Sequence, residues 1–357
     1  MNTTHRLFNR NANDLSPIPD KSVHLIVTSP PYPMIEMWDQ SFIEQDPSIS
    51  EDFLHGHCQT AFEKMHRILD AVWRECDRVL VDHGFICINI GDATRSTGGE
   101  FHLFPNHARV INFFTQLGGY CVLPDIHWRK RSNAPNKFMG SGMYPAGAYV
   151  TYEHEYILIF RKGGKRVFDN EKKQRRRESA YFWEERNTWF SDLWDVRGIP
   201  QQIHGMANRH RSAAYPFEIP YRLINMYSIK NDTILDPFCG LGTTLLACMA
   251  TQRSSIGIEL DESIYTLAQK SLMVPCAELN QIIDQRIAYH NAFIDSLSAD
   301  KQGRCYRNRH HHFLVKTRQE TDLSLKHITS ITATAGGMEC TYQSSVDVEQ
   351  PAHQTHY

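Results

Sequence analysis

The sequence predicts an α/β protein built on a doubly wound, mostly parallel sheet. Two observations lead there. Short apolar runs alternate with segments of helical spacing along most of the 357 residues. Strands that alternate with helices pair in parallel, because each crossover returns the chain to the same edge. The apolar runs are also continuous rather than alternating, as in strands covered on both faces.

The first run, residues 23–28, ends at Ser29-Pro30-Pro31, where proline removes a ladder donor and fixes φ. It reads as a buried strand feeding a loop. Residues 53–81 place Phe62, Met65, Leu69, Val72, Cys76 and Val79 at helical spacing. His83-Gly84 break that helix, and Phe85 to Ile90 form a second strand, followed by a polar, glycine-rich loop to Glu100. Residues 108–117 read as a helix stopped by Gly118-Gly119. Residues 156–160 are a third strand. The charged stretch 163–210, with Trp183, Trp189 and Trp194, shows no clean period. Residues 216–227 are helical, 233–235 a strand, 243–250 a helix, 255–260 a strand and 262–272 a helix. After about residue 295 the apolar signal fades, which predicts a polar, flexible tail, and the three histidines His310, His311 and His312 read as part of that solvated tail rather than as metal ligands.

Hydrophobic residues make up 41% of the chain and charged residues 22%, ordinary values for a packed globular protein. No apolar run reaches the length of a membrane span. The amino terminus has no apolar signal core. Nine cysteines without a C-x-x-C pair argue against a zinc ribbon or a disulfide scaffold and fit a reduced, cytoplasmic protein with no metal. The formal net charge is −2, yet cations cluster at Arg129-Lys130-Arg131 and between Lys162 and Arg177. Such clusters read either as solvated surface or as contacts to a polyanion.

Two motifs carry chemistry. Ile234-Leu235-Asp236-Pro237-Phe238-Cys239-Gly240-Leu241-Gly242-Thr243-Thr244 is a strand, a glycine turn and a helix start. Gly240 and Gly242 let backbone approach a ligand, and the helix offers free N–H groups and a positive dipole end. Without Gly-Lys-Ser or Gly-Lys-Thr it is no Walker loop, and with two glycines no full dinucleotide fingerprint. Glu259 ends the next strand, where a carboxylate can accept from both hydroxyls of a ribose or simply face solvent. Asp236 suits a helix cap or a cationic ligand. About two hundred residues earlier stands Ser29-Pro30-Pro31-Tyr32. Ser29 Oγ and the Pro30 carbonyl are two acceptors on a frame stiffened by two prolines, and Tyr32 offers a flat face. A Pro-Pro-x-Tyr ligand for a recognition domain is the rival reading. Such ligands sit in disordered polyproline, whereas this loop follows a buried strand.

Together the motifs resemble the catalytic loop and the S-adenosyl-L-methionine (AdoMet) loop of the amino-methylating DNA methyltransferases. The catalytic loop comes first, as in the permuted, beta-type branch. The likeness covers roughly residues 4–270, with flanking matches at residues 13–23, 127–130 and 155–162. It implies a Rossmann-like, AdoMet-dependent sheet in circularly permuted order, divided into a catalytic part (1–162), a target-recognition insert (163–210), an AdoMet part (211–295) and the tail (296–357). It implies that Asp236, Phe238, Cys239, Gly240, Gly242 and Thr243 line AdoMet, that Glu259 holds its ribose, and that Tyr215 and Pro216 pack over its methionine part, with Arg211 where the pattern commonly begins with His. Ser29, Pro30, Pro31 and Tyr32 are then catalytic, accepting hydrogen bonds from an exocyclic amine and stacking an extruded base. The nitrogen attacks the sulfonium methyl directly, so no cysteine nucleophile is needed. Arg129, Lys130, Arg175, Arg176 and Arg177 are expected on double-stranded DNA. Ser-Pro-Pro-Tyr in this family goes mostly with cytosine N4, so the expectation is a site-specific N4-cytosine enzyme, with room for a cognate restriction endonuclease. The alternatives are adenine N6 and a non-catalytic AdoMet-fold binding protein.

Overall fold

The computed structural model describes residues 2–97, 100–130, 139–140, 143–150, 152–197 and 215–344. Arg131, residues 198–210 of the insert, residues 211–214 and residues 345–357 lie outside the described residues. The chain divides into two compact units, residues 10–165 with 191–220, and residues 1–9 with 166–190 and 221–357.

In the first unit five strands lie in the order Leu193–Trp194, Tyr120–Arg129, His154–Lys162, Leu80–Ile90, Val23–Thr28. Val23–Thr28 runs parallel to Leu80–Ile90, and His154–Lys162 is antiparallel to both its neighbours. Leu25, Ile26, Val27, Ile86 and Ile88 are buried, which is why these runs read as continuously apolar. The long helix Cys58–Val79 buries Phe62, Met65, Leu69, Val72, Trp73 and Cys76 on one stripe. Register does the positioning. Thr28 pairs with Ile88, which sets Ser29 alongside Asn89, and Ile90 pairs with Tyr156, which sets Gly91 alongside Glu155. The expected glycine-rich loop after Ile90 contains two short antiparallel strands, Ala93–Thr97 and Glu100–Phe104.

In the second unit the order is Thr233–Asp236, Ser254–Glu259, Asn2–Asn9, Gly337–Ser344, Lys326–Thr334. The first three are parallel and the last two form an antiparallel hairpin. For residues 296–344 this corrects the expectation of a flexible tail. Lys326–Thr334 and Gly337–Ser344 are strands, and the segment before them supplies Val315, Leu323 and Leu325 to a buried cluster with Phe182 and Ile283. The hairpin reads as polar because its outer face is solvated, while Ile328, Met338 and Cys340 point inward. Asn280, on the helix Cys276–Asp295, staples it through both backbone groups of Ile328 (2.9 and 2.7 Å). The three histidines lie in an ordered turn, where His311 Nε2 accepts from the Leu325 N–H at 2.8 Å. The insert is divided as well, with residues 166–190 in the second unit and 191–197 in the first. Among the described residues no helix is long and apolar enough to cross a membrane.

Candidate active site

Ser29 and Tyr32 sit at the head of Val23–Thr28 in a network closed by Asn89 and Glu155. The Tyr32 phenol donates to Glu155 Oε2 at 2.8 Å. Asn89 Nδ2 donates to Tyr32 Oη at 2.8 Å and to Glu155 Oε2 at 2.7 Å. Ser29 Oγ lies 3.0 Å from Tyr32 Oη. Lys130 forms an ion pair with the buried Glu155 from its other side. An ionised carboxylate only accepts, and a phenol has one proton to give. Burial first, then the Glu155 charge, hold the Tyr32 phenol well above its usual pKa, so it stays protonated and its proton goes to Glu155. The Ser29 hydroxyl must therefore donate to Tyr32 Oη. Ser29 Oγ also accepts a longer bond from Asn89 Nδ2 at 3.4 Å, which leaves it one lone pair with which to accept from a substrate N–H.

The loop is held from below. Asn106 Nδ2 donates to the Pro33 carbonyl at 3.1 Å and to the Gly91 carbonyl at 2.9 Å, with His66 Nε2 at 2.9 Å from Asn106 Oδ1. Met34 completes the turn in the left-handed region (φ 68°) and is buried. A side chain at Gly91 would crowd the network. A Cβ there would lie 3.1 Å from Tyr32 Cε2 and 3.2 Å from Glu155 Cγ.

The glycine loop lies in the second unit. Thr233–Asp236 ends at Asp236, whose carboxylate accepts from the Phe238 N–H at 3.1 Å and the Thr244 hydroxyl at 2.5 Å. Gly240 and Gly242 have φ of +54° and +88°, and Gly242 caps the helix Thr243–Thr251. Glu259 accepts from the Gly240 N–H at 3.0 Å and the Asp261 N–H at 2.9 Å, so its carboxylate is fixed at the strand end. A Cβ on Gly240 would meet nothing within 4 Å, so the backbone opens onto a space a ligand can fill. This donor and acceptor set fits AdoMet. The half-buried Glu259 suits ribose hydroxyls, and the acidic strand end suits a sulfonium. Cys239 is buried against Gly257, where a Cβ would come within 2.7 Å of its sulfur, and burial holds its thiol well above the usual pKa.

The remaining expected residues fall in several places. Lys130 belongs to the Ser29 network, whereas Arg129 is exposed beside Glu153 (3.3 Å). Tyr215 and Pro216 are buried in the first unit, and the Tyr215 charge adds slightly to the rise in the Tyr32 pKa. Arg175, Arg176 and Arg177 lie on the helix Asn170–Glu178 of the second unit, Arg175 paired with Glu171 and Arg176 over the Phe168 ring at 4.8 Å. Asn89, Glu155, Gly91, Asn106 and Gly257 were not singled out for these roles. A signal existed for Asn89, a lone amide in the otherwise apolar run Phe85–Ile90.

A Ser-Pro-Pro-Tyr loop held in a polar network and a glycine loop beside a strand-end carboxylate, on an α/β frame, have the form of an AdoMet-dependent amino-methyltransferase. Residues 23–270 match the N6/N4 methyltransferase family, described as DNA methylase, and the chain belongs to that family. It is 51% identical over 328 residues to the type II methyltransferase M.MthZI of Methanothermobacter thermautotrophicus, covering 91% of each chain. It is 47% identical over 281 residues to M.MjaI of Methanocaldococcus jannaschii, covering 76% of this chain and 91% of that one. TTHA0409 of Thermus thermophilus, solved with AdoMet, matches with a TM-score of 0.58 at 31% identity over 75% of this chain and 92% of its own. The cytosine-N4-specific PvuII methyltransferase shares the fold, with a TM-score of 0.52 at 16% identity over 80% and 94%. The cofactor is therefore AdoMet and the substrate DNA.

Proposed function

We propose that this enzyme methylates N4 of cytosine at a defined sequence in double-stranded DNA, with the base turned out of the helix, as the modifying half of a restriction–modification pair. The observation that carries this is the hydrogen-bond network joining Ser29 Oγ, Tyr32 Oη, Asn89 and Glu155, from which the Ser29 proton is assigned toward Tyr32. An exocyclic amine is a weak nucleophile because its lone pair is delocalised into the ring. Donating its two N–H groups to Ser29 Oγ and the Pro30 carbonyl turns that lone pair out of conjugation and toward the methyl donor. AdoMet, when bound, supplies an electrophilic methyl group. The Tyr32 ring, set by its contact with Gly91, stacks the extruded base.

The same chain provides an exit for the surplus proton on the methylated nitrogen. That proton passes to Ser29 Oγ as the Ser29 proton passes to Tyr32 Oη and the Tyr32 proton to Glu155. The products are a neutral methylated amine and a protonated Glu155, with S-adenosylhomocysteine as the leaving group of the methyl–sulfur bond. The choice of cytosine is supported by the neutral serine in the acceptor position. The modification role is supported by the type II names of its relatives. Ser29→Ala tests the acceptor assignment. Transfer of labelled methyl to plasmid DNA should fall by about 10²–10³-fold with AdoMet affinity unchanged, and retained turnover would count against it.

A further inference from the structure

A cavity of about 1180 Å³ opens in the second unit, among the helices Asn170–Glu178 and Trp183–Trp189 and the segment 306–322. Its cations come from three pieces of chain. Lys173, Arg176 and Arg177 stand on the first helix, Arg186 on the second, and Arg309 and Arg318 on the segment. Two carboxylates oppose these six charges. Glu320 is buried and accepts from the Trp183 and Thr317 backbone N–H groups, and Asp322 pairs with Arg309 at 2.7 Å. The lining thus carries an excess of four positive charges in a chain whose formal net charge is −2.

Core packing does not explain this arrangement, because the helix Asn170–Glu178 buries none of its residues. Two of the six cations, Arg309 and Arg318, stand on the segment 306–322, beyond the family-matched residues 23–270. Flat rings stand among the arginines. Tyr306 is 38% exposed with the Arg318 guanidinium 5.6 Å from its centre, and Trp183 is 41% exposed and stacked on Phe293. A guanidinium held on a ring loses less freedom when it binds, and its planar fork matches phosphate oxygens. The cavity also exceeds the usual volume of a small-molecule site, about 300–1,000 Å³.

We propose that this cavity is a DNA contact separate from the transfer loops, which takes the phosphodiester backbone of the duplex on its guanidinium groups. The proposal rests on the reading that the substrate is duplex DNA. It converts a segment expected to be a solvated tail into one wall of the DNA interface.

The test uses the full-length protein and a labelled duplex of arbitrary sequence, about 30 base pairs long, titrated between about 50 and 200 mM salt. Arg309→Gln with Arg318→Gln should make the slope of log K against log salt shallower by about 1.8, with AdoMet affinity unchanged. An unchanged slope in a variant that still binds AdoMet overturns the proposal. So does a loss confined to single-stranded RNA of the same length. If that variant fails to bind AdoMet, Lys173→Gln with Arg177→Gln, on the helix without buried residues, reads the same slope. Wild-type protein that neither binds nor methylates duplex DNA would defeat the functional reading itself. Wild-type binding with an unaltered slope in the variants defeats the groove alone.

Discussion

Tyr32 has one phenolic proton and gives it to Glu155, so Ser29 points its own proton inward at Tyr32. Glu155 therefore acts on the acceptor oxygen without needing to touch the base, as a positioning residue. Glu155→Gln reverses the chain, because the new amide donates to Tyr32 Oη, Tyr32 then donates to Ser29, and the Ser29 hydrogen faces the incoming amine. We expect kcat to fall by about 10²-fold with AdoMet affinity and the KM for DNA little changed. In a Tyr32→Phe background, which keeps the ring but removes the relay, the same substitution should add almost nothing. Additive losses would show that Glu155 acts by another route. Much of this site was legible in the sequence. Ser29, Tyr32, Asp236, Glu259 and the glycines stand out because strand, loop and helix context gives each a chemical reason. Glu155 and Asn89 were not legible as partners, because their roles come from strand register, which pairs Ile90 with Tyr156 across antiparallel neighbours and so sets Gly91 alongside Glu155.

Elements with uniform apolar faces were legible, and those whose buried faces carry polar groups were not. Residues 23–28, 85–90 and 233–235 were read as strands and lie within strands, and 255–260 overlaps the strand Ser254–Glu259, which ends one residue earlier. Asn2–Asn9 was not read, since its buried face is Thr3, His5 and Leu7 rather than an apolar run. His5 is accommodated by Thr3 Oγ1 and Ser255 Oγ, each at 2.7 Å. Cys276–Asp295 escaped in the same way. Its buried positions, Leu279, Ile283, Arg286, His290 and Ile294, keep helical spacing, but two of the five are basic. Arg286 is tolerated because it forks onto Glu185 at 2.6 and 2.7 Å, a partner in the insert that no local pattern reveals. The hairpin after residue 325 escaped because a strand at a sheet edge needs only one apolar face.

Charge and buried histidines govern the molecule as a whole. His5 and His66 are buried and each is lowered to about 3, by burial in both cases. The folded protein keeps them neutral, while the unfolded chain takes up a proton near pH 6.5. Their contribution is therefore fully present above about pH 6.5 and is lost as pH falls toward 3, by about 1.4 kcal/mol per pH unit for each histidine. Urea midpoints should drop through that window, and His5→Gln with His66→Gln should flatten the drop; an identical slope would show that other groups control acid unfolding. Net charge by itself conceals the DNA partner, because a local excess counts for more than the sum, as where six of the 38 lysines and arginines line one cavity of the second unit with two carboxylates. The account as a whole turns on where the methyl group goes. Plasmid DNA from a methylation-free host, incubated with the enzyme and deuteromethyl AdoMet, can be digested to nucleosides and weighed by mass spectrometry. The account predicts labelled N4-methylcytosine. Labelled N6-methyladenine would contradict the choice of base, and label on a ring carbon or no labelled nucleoside would contradict the amine-accepting role of Ser29 and Pro30.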